Sequence, residues 1–285
     1  VKEKCSFIRI RPQVENSDQL SEIAEQIGFL PAPMHLHAQL TRILDLSLPD
    51  DALLAQMRKS TRYEIRRGLK MGIAVQQSDD EKLIDDFVKL QAETARREEF
   101  VPFERDYLLE QFRALKSNGA VKLFYVIPAQ AGIYTDNSNR SRVKRFDRHE
   151  LTAEWPGMTR SVISMAFVIF YRGEAVYHYA ASTDEARKIP AAYAIQWAII
   201  QEAKKRGCKT YNLWGDVTDD ELSASWRTHR FATYHSVHRF AGPSLFKRGF
   251  GGKQFAYFPA HDLPLNWKYW INWGVENLRK ITRSL

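Results

Sequence analysis

Between Leu245 and Lys253 the chain reads Leu-Phe-Lys-Arg-Gly-Phe-Gly-Gly-Lys, which sets Lys247, Arg248 and Lys253 among Gly249, Gly251 and Gly252. These residue types suit a phosphorylated ligand. Glycine lets backbone N–H groups approach anionic oxygens, and the cations neutralise the charge those oxygens carry. The run follows a predicted strand and lacks P-loop spacing, so a solvated basic turn is the competing reading. A second cationic group, Arg58, Lys59, Arg62, Arg66, Arg67 and Lys70, lies on a predicted helix. Its charges are of one sign rather than mixed with acids, which favours anion binding over a merely solvated face.

Other candidate chemistry is weaker. His229, His235 and His238 fall within ten positions but match no common zinc spacing, and His178, inside the predicted strand Val176 to Ala181, is expected to be a packed or hydrogen-bonded core residue, with a catalytic base as the alternative. No convincing Ser-His-Asp or Cys-His set is present. Cys5 and Cys208, the two cysteines, are too far apart and too isolated for a disulfide framework or a zinc site. A net charge of +8 and a pI near 9.4 call for an anionic partner: nucleic acid, a nucleotide-linked substrate or an acidic membrane surface. No apolar run approaches a bilayer-spanning length and the N-terminus carries no signal-like h-region, so a soluble protein of the reducing cytoplasm is expected. Because the chain begins with Val and enters a strand almost at once, upstream sequence is expected to be missing.

The elements that must position these residues follow from periodicity. Phe7 to Arg11 alternates like a half-exposed strand, Ser17 to Gly28 reads as an amphipathic helix, and Thr41 to Leu46 as a second strand. Pro49-Asp50-Asp51 opens a helix that is expected to continue through Gly72, with Ile65 and Leu69 on its apolar side. Then come a strand at 75–78, helices at 80–97 and 104–117, strands at 120–127, 163–171 and 174–181, a helix at 191–206 and a strand at 209–214. This order is that of an N-acetyltransferase-type α/β fold. Pro128 to Val162 interrupts the meander where a hairpin normally needs two to five residues. Its ends look like a translated interspersed repeat, so it reads as a disordered insertion at a loop tip; a basic RNA-gripping arm is the alternative. Trp267, Trp270 and Trp273, three apart, are expected to form the packed face of a closing helix, with a membrane-surface role as the alternative.

Three ordered blocks resemble the FemABX peptidyltransferases, which build peptidoglycan cross-bridges. The first runs from Leu30-Pro31-Ala32-Pro33 through Thr41 to Leu46 and on to Leu53 to Arg66. The second comprises Tyr179 to Ser182, Arg187, Pro190, Tyr193, Gln196-Trp197, Ala203-Lys204, Gly207-Cys208 and Tyr211. The third is Phe246 to Gly252 followed by Asp262 to Asn266. The resemblance implies tandem N-acetyltransferase-like (GNAT-like) domains: a first, incomplete at its N-terminus, from 1–74 plus 259–285, and a second from 75–258. It also implies transfer of an amino acid from aminoacyl-tRNA to an amine on the stem peptide of UDP-MurNAc-pentapeptide or a lipid-linked precursor, with peripheral contact at the inner membrane face.

Aminolysis of an activated ester needs no metal, cofactor or covalent nucleophile; positioning and oxyanion stabilisation suffice. By resemblance, Lys247 and the Phe246 backbone belong at the reaction centre. Arg187 and Tyr193, with Arg248, Gly249 and Gly251, are then the candidates for the precursor's phosphates and sugar, and Arg58, Lys59, Arg62 and Arg66 for tRNA. The acetyl-CoA pyrophosphate loop is not found where this fold would place it, since Phe246 stands where a basic or amide residue belongs. An acyl-CoA-dependent N-acyltransferase and a catalytically inactive tRNA-binding remnant are the competing expectations.

Overall fold

The computed structural model describes residues 5–34, 38–98, 100–127, 133–135, 141–143, 161–220 and 241–283. In chain order the elements begin with β1 (Phe7–Ile10), α1 (Asp18–Gln26), β2 (Leu30–Pro31), β3 (Leu40–Asp45), α2 (Asp50–Gln56) and α3 (Lys59–Lys70). Next are β4 (Val75–Ser78), α4 (Leu83–Glu98), α5 (Arg105–Lys116), β5 (Val121–Val126), β6 (Ile133–Thr135) and β7 (Ser141–Val143). The chain continues with β8 (Ser164–Tyr171), β9 (Glu174–Ser182), a 3-10 turn (Glu185–Lys188), α6 (Ala191–Lys205) and β10 (Thr210–Asn212). It closes with α7 (Ala241–Arg248), β11 (Lys253–Ala256), β12 (His261–Pro264) and α8 (Lys268–Arg283).

Two compact units emerge: the described residues of Val1–Arg42, Trp214–Ser244 and Lys253–Leu285, and those of Ile43–Leu213 and Leu245–Gly252. Residues 43–74, which the sequence placed with the first domain, lie in the second unit. In that unit the strands lie in the order β3-β10-β9-β8-β5-β4. Both faces of its sheet are covered, which is why β5 and β8 read as nearly continuous apolar runs. Phe124, Val126 and Val168 pack with Leu53, Ile65 and Ile195 of α2, α3 and α6. Leu123 and Phe167 pack with Phe87, Leu108 and Phe112 of α4 and α5. The antiparallel meander β5-β8-β9 is followed by a parallel pairing in which β10 meets β9 over Glu174–Val176, short of the end of β9 at Ser182. A β-bulge next to Phe167 and Val168 shifts the β8–β9 register at the level of His178.

The first unit holds the antiparallel sheet β1-β12-β2. Ser17 caps α1 by accepting from the Leu20 N–H, and Gly28, at φ 86°, turns the chain out of it. α8 is fastened to the sheet by an ion-pair group: Arg9 donates to Asp262 at 2.6 and 2.8 Å and to Glu276 at 2.8 Å. The Tyr269 ring lies 5.5 Å from that of Phe7.

Four expectations are corrected. The helix from Pro49 to Gly72 is broken: Met57 and Arg58 are extended, with ψ 151° and 146°. On α3 the buried residues are Thr61, Ile65 and Gly68, while Leu69 is exposed, because Gly68 lets α3 approach Pro190 and Ala194 at the start of α6. Trp267, Trp270 and Trp273 are not a packed face; they are 68%, 53% and 40% exposed, and Tyr269 is the buried aromatic of α8. The basic glycine run follows a helix, α7, rather than a strand. Of the expected insertion 128–162, the described part includes β6 and β7, paired antiparallel with Ile133 opposite Val143; most of the rest lies outside the described residues.

Candidate functional site

The break between α2 and α3 begins the site, and its cause is tertiary. The Arg58 N–H donates to the Gly249 carbonyl at 2.8 Å, which holds the chain extended there. The Arg62 guanidinium turns back onto the carbonyls of Ala55 and Met57, satisfying acceptors left open where α2 ends. Arg62, a candidate for tRNA, is therefore engaged inside the fold, whereas Arg58, Lys59 and Arg66 are exposed. Arg67 is likewise held, by Glu64 at 3.0 Å and the Lys188 carbonyl at 3.4 Å.

The segment from Leu245 to Gly252 lies against this break. Lys247 and Arg248 form the last turn of α7, where positive charge suits the helix dipole. The winding continues in tight turns: Gly249 N–H donates to the Leu245 and Phe246 carbonyls, Phe250 N–H to Lys247 and Gly251 N–H to Arg248. This corrects the reading of a phosphate cradle, since the N–H groups of Gly249, Phe250 and Gly251 are engaged by backbone carbonyls. The glycines answer instead to crowding. A Cβ on Gly249 would meet Thr61 Oγ1 at 2.4 Å, and one on Gly252, at φ 74°, the Ile43 carbonyl oxygen at 2.5 Å. Gly251, at φ 83°, sits 3.0 Å by the same measure from the Gln56 carbonyl oxygen.

This arm brings Phe246 to Tyr193 on the first turns of α6. Their rings meet edge to face at 5.1 Å, and Phe250 joins both, at 5.2 Å from Phe246 and 5.9 Å from Tyr193. Burial raises the Tyr193 hydroxyl pKa above the ordinary tyrosine value and Glu64 raises it further, while Arg58 opposes them. At neutral pH Tyr193 is thus a protonated donor beside an acid and a cation. Arg187 is exposed on the 3-10 turn that leads into α6 and is not part of the aromatic group. The loop before that turn is fixed by α4: the Ser182 N–H donates to Thr94 Oγ1, and Arg97 reaches the Ser182 carbonyl and Asp184. Behind Tyr193, α6 is locked to the sheet by Tyr211, whose hydroxyl donates to Gln196 Oε1 at 2.6 Å with both side chains fully buried. Burial also pushes the nearby Tyr177 hydroxyl up to about 12.

The structure therefore joins Phe246, Gly249, Gly251, Tyr193 and Arg58 in one place, with Lys247 and Arg248 on the adjoining helical turn. Sequence reasoning missed Thr61, Glu64 and Phe250. All three lie inside the quoted motif blocks, but which of their neighbours they touch is set by the fold. His178 hydrogen-bonds Gln111 at 3.1 Å, in keeping with a packed role. Among the described residues no cluster of three His, Cys, Asp or Glu is placed to hold a metal ion. His229, His235 and His238 lie outside the described residues.

With this arrangement in view, comparison with known proteins is direct. The FemAB family model matches residues 32–126 and 135–272, most of the chain, and the chain belongs to the FemAB family. A lipid II:glycine glycyltransferase of Staphylococcus aureus is 23% identical over 265 residues, covering 77% of this chain and 62% of that protein. The chain thus spans less than two thirds of the length of that relative. The crystal structure of FemX superposes with a TM-score of 0.71 at 20% identity, over 95% of this chain and 75% of that one. L-PGS from Bacillus licheniformis gives 0.50 at 12%, over 95% and 72%. These likenesses establish the fold, a mixed α/β chain of acetyltransferase-like units, as the order of elements led one to expect.

Proposed function

We propose that this chain transfers an aminoacyl group from aminoacyl-tRNA to an amine on the stem peptide of a peptidoglycan precursor, either UDP-MurNAc-pentapeptide or its lipid-linked form. The observation that carries this reading is the convergence of motif segments from all three blocks, around Arg58, Tyr193 and Phe246, in a chain of the FemAB family. The name of the staphylococcal relative, which specifies lipid II and glycine, supports the acceptor class and the kind of group moved.

In this scheme a neutral amine attacks the ester carbonyl, negative charge develops on the carbonyl oxygen, and the terminal ribose hydroxyl leaves. Lys247 supplies positive charge at that oxygen or at a precursor phosphate. The Phe246 carbonyl accepts from Gly249 N–H at 3.1 Å and retains a second lone pair that can orient the attacking amine. The Tyr193 hydroxyl donates a hydrogen bond to the precursor, and exposed Arg187 holds a phosphate. Arg58, Lys59 and Arg66 offer the exposed charge that a tRNA backbone requires.

The test supplies the chain with radiolabelled aminoacyl-tRNA and, in parallel, acetyl-CoA, each with muramyl-pentapeptide and lipid-linked acceptors. Label is expected on an acceptor from the tRNA ester alone. Transfer only from the thioester overturns the reading in favour of an acyl-CoA enzyme. Salt-sensitive tRNA binding without transfer overturns it in favour of an inactive remnant.

A further inference from the structure

Arg9, Arg11 and Arg42 belong to the first unit, and carboxylates answer the first and the last of them. Arg9 donates to Asp262 and Glu276, and Arg42 lies 3.3 Å from Asp216. Arg11 differs. It stands just past the end of β1, partly buried, and its neighbours are a carbonyl and two aromatic rings. Its Nη2 donates to the Ala38 carbonyl at 2.6 Å. The guanidinium carbon lies 4.9 Å from the centre of the Tyr257 ring and 5.9 Å from that of Trp214. Its buried Nε–H meets no acceptor among the described residues. Burial accordingly lowers the Arg11 pKa from the ordinary arginine value, with Tyr257 opposing the shift. Cations taken out of water are ordinarily matched by an acid, because an unmatched one is costly.

The backbone beside Arg11 is strained as well. Trp214 has φ 51°, the left-handed region that a bulky residue rarely enters, and Gly215 follows at φ 54°. Neighbouring groups enforce this turn: the Asp216 N–H donates to the Leu40 carbonyl at 2.9 Å, and Gln254 Nε2 reaches Asp216 at 3.2 Å and the Val217 carbonyl at 3.0 Å. Strain and a poorly matched cation in one place are what a binding site retains at the expense of stability. The charges select the ligand. Arg42 and Arg9 have their own carboxylates, so Arg11 offers one positive charge, whereas a diphosphate calls for several. A single carboxylate suits one planar guanidinium, and the rings of Trp214 and Tyr257 give apolar surface to the group that bears it. We propose that Arg11, flanked by Trp214 and Tyr257, binds the C-terminal carboxylate of a peptide. The acceptor's stem peptide supplies such a terminus, an identification that rests on the transfer reaction proposed above; the carboxylate site itself does not.

The full 285-residue chain is titrated calorimetrically with muramyl-pentapeptide in two forms, one ending in the free acid and one in the amide. Acetate and inorganic phosphate serve as competitors. The acid form is expected to bind about tenfold or more tightly than the amide, with acetate competing better than phosphate. Arg11→Met should abolish the preference for the acid, and Arg11→Lys should restore part of it, since lysine keeps the charge but not the planar fork. Thermal melting of Arg11→Met should not fall, because the cation removed had no acid to leave behind. Equal binding of acid and amide by the natural chain overturns the proposal, as does an undiminished preference in the folded methionine variant. Stronger competition by phosphate overturns it in favour of a phosphate site. Transfer measured with the same peptides separates the two readings: discrimination without transfer defeats the proposed reaction alone, and transfer without discrimination defeats the carboxylate site alone.

Discussion

Thr61 leaves no room for a side chain at Gly249. Its hydroxyl would lie 2.4 Å from an added Cβ, and Thr61 is itself buried. Gly249→Ala is therefore expected to destabilise the chain by about 1–3 kcal/mol, read as a lower urea midpoint at unchanged m-value. Tyr177 gives a pH dependence. Burial holds its proton up to about 12 in the folded chain, whereas the unfolded chain releases it near the ordinary value of 10. Its contribution is complete below pH 10 and is lost as pH rises toward 12, so the melting temperature should fall across that window, and Tyr177→Phe should flatten the fall. At this scale the sequence showed where glycine, lysine and aromatic residues gather. It did not show what the glycines are for, because whether an N–H faces a ligand or a carbonyl depends on how tightly the chain winds after α7.

The strongest elements were legible nearly to the residue. β5, β8 and α6 carry apolar patterns long enough to leave one reading, and each matches its expected span to within a residue at either end. The break between α2 and α3 was not legible. No proline or glycine marks Met57 and Arg58; the Gly249 carbonyl, nearly two hundred positions away, holds them extended. α8 teaches a related lesson, since periodicity reveals that one face is apolar but not which way it points. Its orientation depends on Arg9, which links Asp262, fully buried, to Glu276. Arg9→Met would strand Asp262 without its cation, and a loss of about 3–5 kcal/mol is expected in chemical denaturation. Adding Asp262→Leu to that variant should recover much of the loss, as the unpaired buried charge is then gone.

At the scale of the whole molecule, the family and the α/β architecture were readable from three ordered motif blocks, which span both compact units and need no exact boundaries. The same blocks say less about activity, because the chain spans 62% of the staphylococcal relative's length. What the account requires is that the second unit's own residues act on the reacting groups. Lys247 tests this most directly. With aminoacyl-tRNA and a muramyl-pentapeptide acceptor, Lys247→Ala is expected to slow transfer about ten- to a hundredfold while thermal melting stays close to that of the natural chain. Lys247→Arg should restore part of the rate. An undiminished rate in the folded alanine variant would contradict the account.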